Sequence, residues 1–241
     1  MRFLVLLLCV AALTCSESFA KSAAPKGFLL KSEKFDDAVI NYTVYVPQSY
    51  DGKTDMPLII FLNGLGECGT DGLRQLVTGL PSAIMFNAAK WDKFITLIPQ
   101  KQQHVTEWGD AEDAHVMGLI KRVCKDYKID THRIYLTGLS QGGRGTWRIA
   151  ANHPDKFAAI APCCGWGDEE IAKKVKDIPV WMFHGTKDEA VPYHASEKMY
   201  EWLTALGADV KFTTYEGYHH NCWDHAYRDE DIPGFFLSHR K

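Results

Sequence analysis

Short apolar runs alternate with amphipathic stretches along most of the chain. Seven runs of four to eight residues, rich in β-branched and aromatic side chains, predict strands at 39–46, 57–62, 94–98, 133–136, 157–161, 180–183 and 210–214. Apolar residues at helical spacing predict helices at 114–127, 146–151 and 195–206. Gly, Pro, Asp and Asn mark the joints between these segments. The alternation predicts an α/β fold, in which helices flank a mostly parallel central sheet.

The first 20 residues have the features of a cleaved secretory signal peptide. Arg2 precedes an apolar run over residues 3–13, and Ser18-Phe19-Ala20 fits the small-x-small pattern of a signal-peptidase site. The run is shorter than the roughly 20 apolar residues that span a bilayer. No linker divides residues 21–241. We therefore expect removal of residues 1–20, one domain over 21–241, a secreted or periplasmic location and no membrane contact after cleavage.

Composition and charge narrow the possible partners. The chain is 46% hydrophobic, which suits a globular domain with a substantial core, and its net charge of −3 is small. It has no basic stripe or RNA-binding motif, so we do not expect a nucleic-acid partner. His219, His220 and His225 cluster in sequence, but no Cys or Glu partner stands at metal-ligand spacing. We therefore expect no metal.

The sequence G-L-S-Q-G places Ser140 between Gly138 and Gly142, directly after the predicted strand 133–136. A reactive serine on a sharp strand-to-helix turn needs small residues two positions to either side, because bulkier ones collide with the neighbouring backbone. Chance gives this spacing about 0.1 times in a chain of this length. Without further support, an ordinary glycine-rich turn explains the motif equally well.

The segment upstream could supply an oxyanion hole. Asn63-Gly64-Leu65-Gly66 follows the apolar strand 57–62. Glycines at such a position let the backbone turn its N–H groups toward a bound oxygen. The Leu65 amide and the amide of Gln141, the residue after the serine, form the natural pair of donors. Taken alone, this segment also fits a plain turn between a strand and a helix.

Segments downstream supply an acid and a base. Asp188 follows the predicted strand 180–183, and His219 and His220 follow the strand 210–214. Each candidate lies just past the carboxyl end of a strand, where open α/β sheets place their sites. The order serine, aspartate, histidine is that of α/β hydrolases. Three elements in this order, together with a glycine turn, favour a nucleophilic Ser140.

These segments together resemble the small secreted α/β-hydrolase esterases that group with polyhydroxybutyrate depolymerases, feruloyl and acetyl-xylan esterases, and phospholipase/carboxylesterase-type enzymes. The matching segments are FLNGLGE, DTHRIYLTGLSQGGRGTW, HPDKFAAIAPCCG, HGTKDEAVP and YHHNCWDHAY. The resemblance implies Ser140 as nucleophile, Asp188 as acid and His220 as base. In that family the histidine precedes Asn or Asp, a small residue and Trp, which selects His220 over His219. Asn63 departs from the family, which usually has His there.

Aromatic residues and cysteines also gather near this face of the predicted sheet. Trp108, Trp166 and Trp223 are candidates for stacking on an aromatic or sugar-bearing ester, with ordinary packing as an equal alternative. Signal cleavage leaves five cysteines, Cys68, Cys124, Cys163, Cys164 and Cys222. All except Cys124 fall in loops expected to converge at the site. We therefore expect one or two disulfides there, with their pairing open.

The combined interpretation is a secreted serine ester hydrolase that works through an acyl-enzyme and needs no metal or organic cofactor. Export and the tryptophans favour small-molecule or polysaccharide-linked esters, with feruloyl or acetyl groups on plant polysaccharide as the first choice. A prolyl-oligopeptidase-like peptidase is an alternative, although such enzymes usually carry an additional domain that restricts access. The other alternative is an inactive hydrolase fold used for binding, which would not need Ser140, Asp188 and His220 intact.

Overall fold

A computed structural model describes residues 25–36, 38–102, 107–109 and 111–241. The expected signal peptide, residues 1–20, lies outside the described residues. The strands in chain order are β1 (Gly27–Lys34), β2 (Val39–Val46), β3 (Met56–Leu62), β4 (Ile95–Pro99), β5 (Ile129–Leu139), β6 (Ala159–Cys163), β7 (Val180–Gly185) and β8 (Val210–Tyr215). The α-helices are α1 (Gly79–Phe86), α2 (Ala111–Asp126), α3 (Gln141–Asn152), α4 (Glu169–Val175), α5 (His194–Ala205), α6 (Trp223–Asp229) and α7 (Ile232–Leu237).

The eight strands form one sheet in the order β1-β2-β4-β3-β5-β6-β7-β8. β1 pairs antiparallel with β2, and β2 pairs antiparallel with β4. The other six strands, β3 to β8, are parallel to one another. The expected fold class, a mostly parallel sheet flanked by helices, is therefore confirmed. Among the described residues, no helix has both the length and the apolar character that a membrane span requires.

Both faces of the sheet are covered around its central strands, which explains why a strand such as β3 is apolar throughout. In β3 every residue is buried. Because side chains alternate along a strand, Leu58 and Ile60 join the core on one face, and Ile59 and Phe61 join the core on the other. The first face packs against α2, α3, α4 and α5, and the second packs against α1, α6 and α7.

All seven predicted strands and all three predicted helices are present, but five elements lack a clear sequence signal. The edge strand β1, with the sequence GFLLKSEK, is only partly buried. Helix α1 contains Gly79 and Pro81, which are poor helix formers. Helices α4, α6 and α7 have seven residues or fewer. Helices this short are stabilised by packing more than by propensity.

The topology brings the carboxyl ends of the parallel strands to one edge of the sheet. The register pairs Leu62 at the end of β3 with Gly138 in β5, and Leu139 with Cys163 at the end of β6. At the end of β7, Gly185 pairs with Tyr215, the last residue of β8. The loops after these strands therefore start side by side. They carry Asn63, Ser140, Cys164, Asp188 and His220.

Candidate active site

Ser140 lies on a strained turn between β5 and α3. Its φ of 54° and ψ of −118° are in a region that residues with a side chain rarely adopt. Two backbone hydrogen bonds hold the turn: the Ser140 amide donates to the Cys163 carbonyl at 2.9 Å, and the Arg144 amide donates to the Ser140 carbonyl at 3.0 Å. Strain of this kind persists where the surrounding structure fixes the backbone, and it clusters at functional sites.

The two flanking glycines are required by close backbone packing. A Cβ atom on Gly142 would lie 2.0 Å from the Leu62 carbonyl oxygen. A Cβ on Gly138 would lie 2.4 Å from the Gly142 carbonyl oxygen. Neither neighbour is the flexible end of a side chain, so neither can move aside cheaply. The spacing G-x-S-x-G is therefore explained by the contact between the turn and the end of β3.

Hydrogen bonds connect Ser140 with the predicted base, His220, in the loop after β8, and through it with the predicted acid, Asp188, in the loop after β7. Nε2 of His220 lies 2.8 Å from Oγ of Ser140, and Nδ1 of His220 lies 2.6 Å from Oδ2 of Asp188. The His220 side chain is 26% exposed, whereas the Asp188 side chain is fully buried. His219, the other candidate base, is exposed to solvent. The structure thus brings the three predicted residues together, with His220 between Ser140 and Asp188.

Four hydrogen-bond donors surround the carboxylate of Asp188. Oδ1 accepts from the backbone amides of Ala190 and Val191, at 2.9 and 2.8 Å. Oδ2 accepts from His220 and also from Nε2 of His184, at 3.0 Å. Burial alone would raise the pKa of Asp188, but the hydrogen bonds from His184, His220 and Val191 hold the pKa well below its usual value. Asp188 therefore remains ionised.

His184 is the residue at this site that sequence reasoning missed. It is fully buried in β7, where its Nε2 faces two acceptors, Asp188 Oδ2 and the Val191 carbonyl oxygen, at 3.0 and 2.9 Å. This nitrogen therefore carries a hydrogen. Its Nδ1 lies 2.7 Å from Oγ of Ser196, which donates to the Gly165 carbonyl. A histidine ending an apolar strand, four residues before the candidate acid, is the signal that could have identified it.

The segment after β3 forms a short turn braced by Asn63. The Asn63 side chain is fully buried; its Nδ2 donates to the Gly64 carbonyl at 2.7 Å, and its Oδ1 accepts from the Lys101 amide at 3.1 Å. Leu65 begins a single 3₁₀ turn, Leu65–Glu67. Gln141 begins α3, and the N-terminus of a helix favours negative charge.

Trp108 packs into this turn and does not line an open cleft. Its side chain is only 2% exposed, and its indole N–H donates to the Asn63 carbonyl at 2.9 Å. Its ring lies against Gly145, where a Cβ atom would approach the Trp108 Cβ to 2.4 Å. The sequence left two alternatives for Trp108, stacking on a substrate or ordinary packing, and the structure shows packing. Little of its surface remains for contact with a substrate.

Trp166 and Trp223 are both partly exposed. The Trp223 ring stands edge-on to the His220 ring at a centroid distance of 5.1 Å, and its indole N–H donates to Thr78 Oγ1 at 3.0 Å. The Trp166 ring contacts the guanidinium of Arg144, whose Cζ lies 5.0 Å from the ring centroid. Arg144 is one helical turn after Ser140 on α3.

The five described cysteines are free thiols in the structure. Cys68 is buried beneath the turn after β3, with its Sγ 3.7 Å from the Gly64 carbonyl oxygen. The Sγ atoms of Cys164 and Cys222 lie 3.1 Å apart, next to the loop that carries His220. Cys124 is partly buried on α2 and packs against the core.

Possible metal-ligand atoms of Cys164, Asp188 and His220 lie within 4.8 Å of one another. Asp188 and His220 already use their facing atoms in a mutual hydrogen bond. The Cys164 thiol also has other partners, since its Sγ lies 3.1 Å from both the His220 carbonyl oxygen and Sγ of Cys222. The chemistry of this group therefore does not fit a metal.

Comparisons with known proteins support the same fold and a family of ester hydrolases. The phospholipase/carboxylesterase family profile matches residues 80–229. A bifunctional acetylxylan esterase/xylanase of Neocallimastix patriciarum is 32% identical over 157 residues, which cover 64% of this chain and only 22% of the relative. A solved thermostable esterase has a TM-score of 0.81 at 29% identity, over 89% of this chain and 63% of its own. A ferulic acid esterase, 16% identical, shares the fold with a TM-score of 0.68, over 87% and 98% of the two chains.

Replacing Gly142 by alanine is expected to destabilise the protein by at least about 2 kcal/mol, because the new Cβ would overlap the Leu62 carbonyl. Urea unfolding of wild type and variant measures this difference. Gly66→Ala is the matched control, since no atom lies within 4 Å of a Cβ at that position. Equal stability of Gly142→Ala and Gly66→Ala would contradict the packing argument.

The low pKa of Asp188 predicts a contribution to acid sensitivity. Its ionised form stabilises the fold above the unfolded-state pKa of about 3.9, and this contribution is lost as the pH falls toward the lower folded-state pKa. In Asp188→Asn, the free energy of unfolding should therefore fall less steeply below about pH 5 than in wild type. Urea titrations across this range measure the slope.

The control for this titration is Asp177→Asn, which removes a carboxylate that is 87% exposed. It shows how much of the change in slope comes from deleting any one acidic group. The same slope in wild type and Asp188→Asn would mean that the hydrogen bonds to this carboxylate do not stabilise the folded state.

Proposed function

Because the chain belongs to the phospholipase/carboxylesterase family, we propose that it hydrolyses carboxylic esters through a Ser140–His220–Asp188 triad and a covalent acyl-enzyme. The single observation that carries this proposal is the hydrogen-bonded chain from Ser140 Oγ through His220 to Asp188, at 2.8 and 2.6 Å. A serine within hydrogen-bond reach of a base, which is itself oriented by an acid, is the arrangement that activates a weak hydroxyl nucleophile.

In the proposed acylation step, Ser140 Oγ attacks the ester carbonyl carbon while its proton passes to Nε2 of His220. The resulting tetrahedral intermediate collapses, the bond to the alcohol oxygen breaks, and His220 returns the proton to the leaving alcohol. Water, deprotonated by the same nitrogen, then attacks the acyl group on Ser140. This second step releases the acid and restores the serine. The cycle uses only a proton held at His220 and consumes one water per ester.

The environment of Asp188 suits the role of the acid in this cycle. An ionised carboxylate hydrogen-bonded to Nδ1 fixes the ring so that Nε2 faces the serine, and it stabilises the imidazolium that forms. Asp188 is held in place by two backbone amides and by His184. We assign His184 a positioning role, since it acts on the reaction only through the carboxylate.

The negative oxygen of the tetrahedral intermediate requires fixed donors. The proposed oxyanion hole consists of the backbone amides of Leu65 and Gln141. The contacts of Asn63 and the position of Gln141 at the start of α3 support this assignment. Because the donors are backbone groups, an asparagine in place of the usual histidine at position 63 is compatible with the hole. In the proposal, Asn63 and Trp108 act as braces of this turn.

For the substrate, we propose acetyl or feruloyl esters on plant polysaccharide. The acetylxylan esterase/xylanase is the relative that supports this class, at 32% identity. The partly exposed ring of Trp166 beside Arg144, and Trp223 beside His220, offer aromatic surfaces of the kind that stack on sugars or phenolic rings. Export, proposed from the features of residues 1–20, would place the enzyme where such polymers occur.

Turnover of the full chain on a panel of esters tests the activity and the substrate class together. The panel contains p-nitrophenyl acetate, butyrate and octanoate, methyl ferulate, acetylated xylan and a peptide p-nitroanilide. We expect methyl ferulate or acetylated xylan to give the highest kcat/KM. Ser140→Ala should lose at least about 1,000-fold in kcat/KM on every active substrate, because it removes the nucleophile.

Ser32→Ala, an exposed serine on the edge strand β1, is the control and should keep full activity. Retained turnover in Ser140→Ala would overturn the mechanism. Preference for the peptide substrate would replace the esterase proposal by a peptidase. Activity confined to short p-nitrophenyl esters would leave the mechanism standing and overturn the polysaccharide substrate.

The positioning role of His184 predicts different effects for two substitutions. His184→Leu removes the donor to Asp188 and should lower kcat by about 10-fold or more with little change in KM. His184→Gln keeps an N–H donor at a similar reach, so we expect a smaller loss. Steady-state kinetics on p-nitrophenyl acetate measure both variants. Equal losses in kcat, or losses confined to KM, would show that His184 does not act through the carboxylate.

A further inference from the structure

Cys164 and Cys222 lie face to face beside the loop that carries His220. Their Sγ atoms are 3.1 Å apart, closer than two sulfur atoms normally approach without a bond. Both residues are fully buried. Closing this gap to the disulfide bond length of about 2.05 Å requires a movement of only about 1 Å. Nothing in the proposed ester hydrolysis uses either thiol.

The backbone holds both cysteines in this arrangement. The Cys164 amide donates to the Phe183 carbonyl of β7 at 2.9 Å. The Cys222 carbonyl accepts from the amides of His225 and Ala226, both at 3.1 Å, at the start of α6. The two sulfur atoms therefore meet because two fixed backbones direct them toward each other. A chance contact between flexible side chains would not be fixed in this way.

The conformation of Cys164 adds an independent observation. Its φ of 46° lies in the left-handed region, where glycine is favoured and a side chain costs free energy. Beside Ser140, it is the only non-glycine residue with positive φ in the described part of the chain. Its neighbour Gly165, by contrast, is packed so closely against the Gly143 backbone that a Cβ would lie 2.6 Å from the Gly143 carbonyl carbon. Because glycine would adopt this conformation at lower cost, a cysteine here indicates that its sulfur has a role.

From this geometry we propose that Cys164 and Cys222 form a disulfide bond that fastens the His220 loop to the end of β6. Cys222 is two positions after His220, so the bond would fix the loop close to this histidine. The bond would replace the weak hydrogen bond from the Cys164 thiol to the His220 carbonyl, now 3.1 Å long, by a covalent link. Its formation does not depend on the proposed esterase activity.

The oxidation is balanced by a small-molecule disulfide such as glutathione disulfide. The thiolate of one cysteine attacks that disulfide and releases one thiol, and the other cysteine then attacks the mixed disulfide and releases the second. The two protein thiols lose two electrons and two protons, which the oxidant takes up. Because both side chains are buried in the fold, this exchange belongs to the folding stage, before the loop closes over the pair. An oxidising compartment favours it.

The direct test is a peptide map of the full chain produced in an oxidising compartment. The protein is denatured in N-ethylmaleimide, digested with trypsin without reductant and analysed by mass spectrometry. We expect peptides 157–173 and 212–228 to appear linked, with a mass two hydrogens below their sum, and to separate after reduction. Fragmentation of the linked pair assigns the bond to Cys164 over the adjacent Cys163. Alkylated thiols at both Cys164 and Cys222 would overturn the proposal.

Variants and melting curves test what the bond does. Reduction of the linked wild-type protein should lower Tm by about 5–15 °C. Cys222→Ala should show no response to reductant, and Cys124→Ala, altered on helix α2, should respond like wild type. A link to Cys163, or a linked protein whose Tm does not change on reduction, would contradict the proposed fastening of the loop. Because none of these measurements uses an ester, a failed activity assay leaves this test intact.

Discussion

The close approach of three backbone segments around Ser140 is the constraint on which the rest of the site depends. The end of β3 touches the first turn of α3 through Gly142, the serine amide is bonded to the end of β6, and Gly143 leaves room for the Cys163 carbonyl, 2.4 Å from where its Cβ would be. No side chain fits at these crossings. The turn therefore adopts its strained dihedral angles because its neighbours leave no alternative, and the serine hydroxyl is directed away from the sheet toward the loops that follow β7 and β8.

A second constraint is the cost of burying a charge. The Asp188 side chain is withdrawn from solvent, and an ionised carboxylate in such a place must receive several hydrogen bonds. Two backbone amides of its own turn and two histidine rings supply them. The requirement connects elements that are distant in sequence, because His184 in turn contacts Ser196 on α5, whose hydroxyl reaches the Gly165 carbonyl beyond β6. The position of the acid is thereby tied to the same loop that carries Cys164.

Much of the fold and the order of the candidate triad could be predicted from the sequence, because both depend on local patterns. Buried parallel strands such as β3 are continuous apolar runs, and Ser140, Asp188 and His220 each follow one. What could not be predicted depends on contacts between distant segments. Trp108 sits in a polar loop segment, and only the packing against Gly145 shows that it is buried. The position of His184, four residues before Asp188 at the end of an apolar strand, is a sequence signal, but the same context also fits a core residue of β7. Its partner is visible only once the turn returns Asp188 to the strand end.

The contact between Trp108 and Gly145 has a consequence for how such chains can diverge. The Cβ and indole of Trp108 fill the space that any side chain at position 145 would need, and the indole also donates the hydrogen bond that holds the Asn63 carbonyl. Because the nearest atom is the Trp108 Cβ, at 2.4 Å, a side chain at 145 requires glycine at 108 or a shift of the backbone, and glycine at 108 would remove the donor from the turn. The two positions, far apart in sequence, should change together or remain fixed, and a third change near Asn63 should accompany any exchange. Among homologous chains, these three positions should therefore co-vary as one unit.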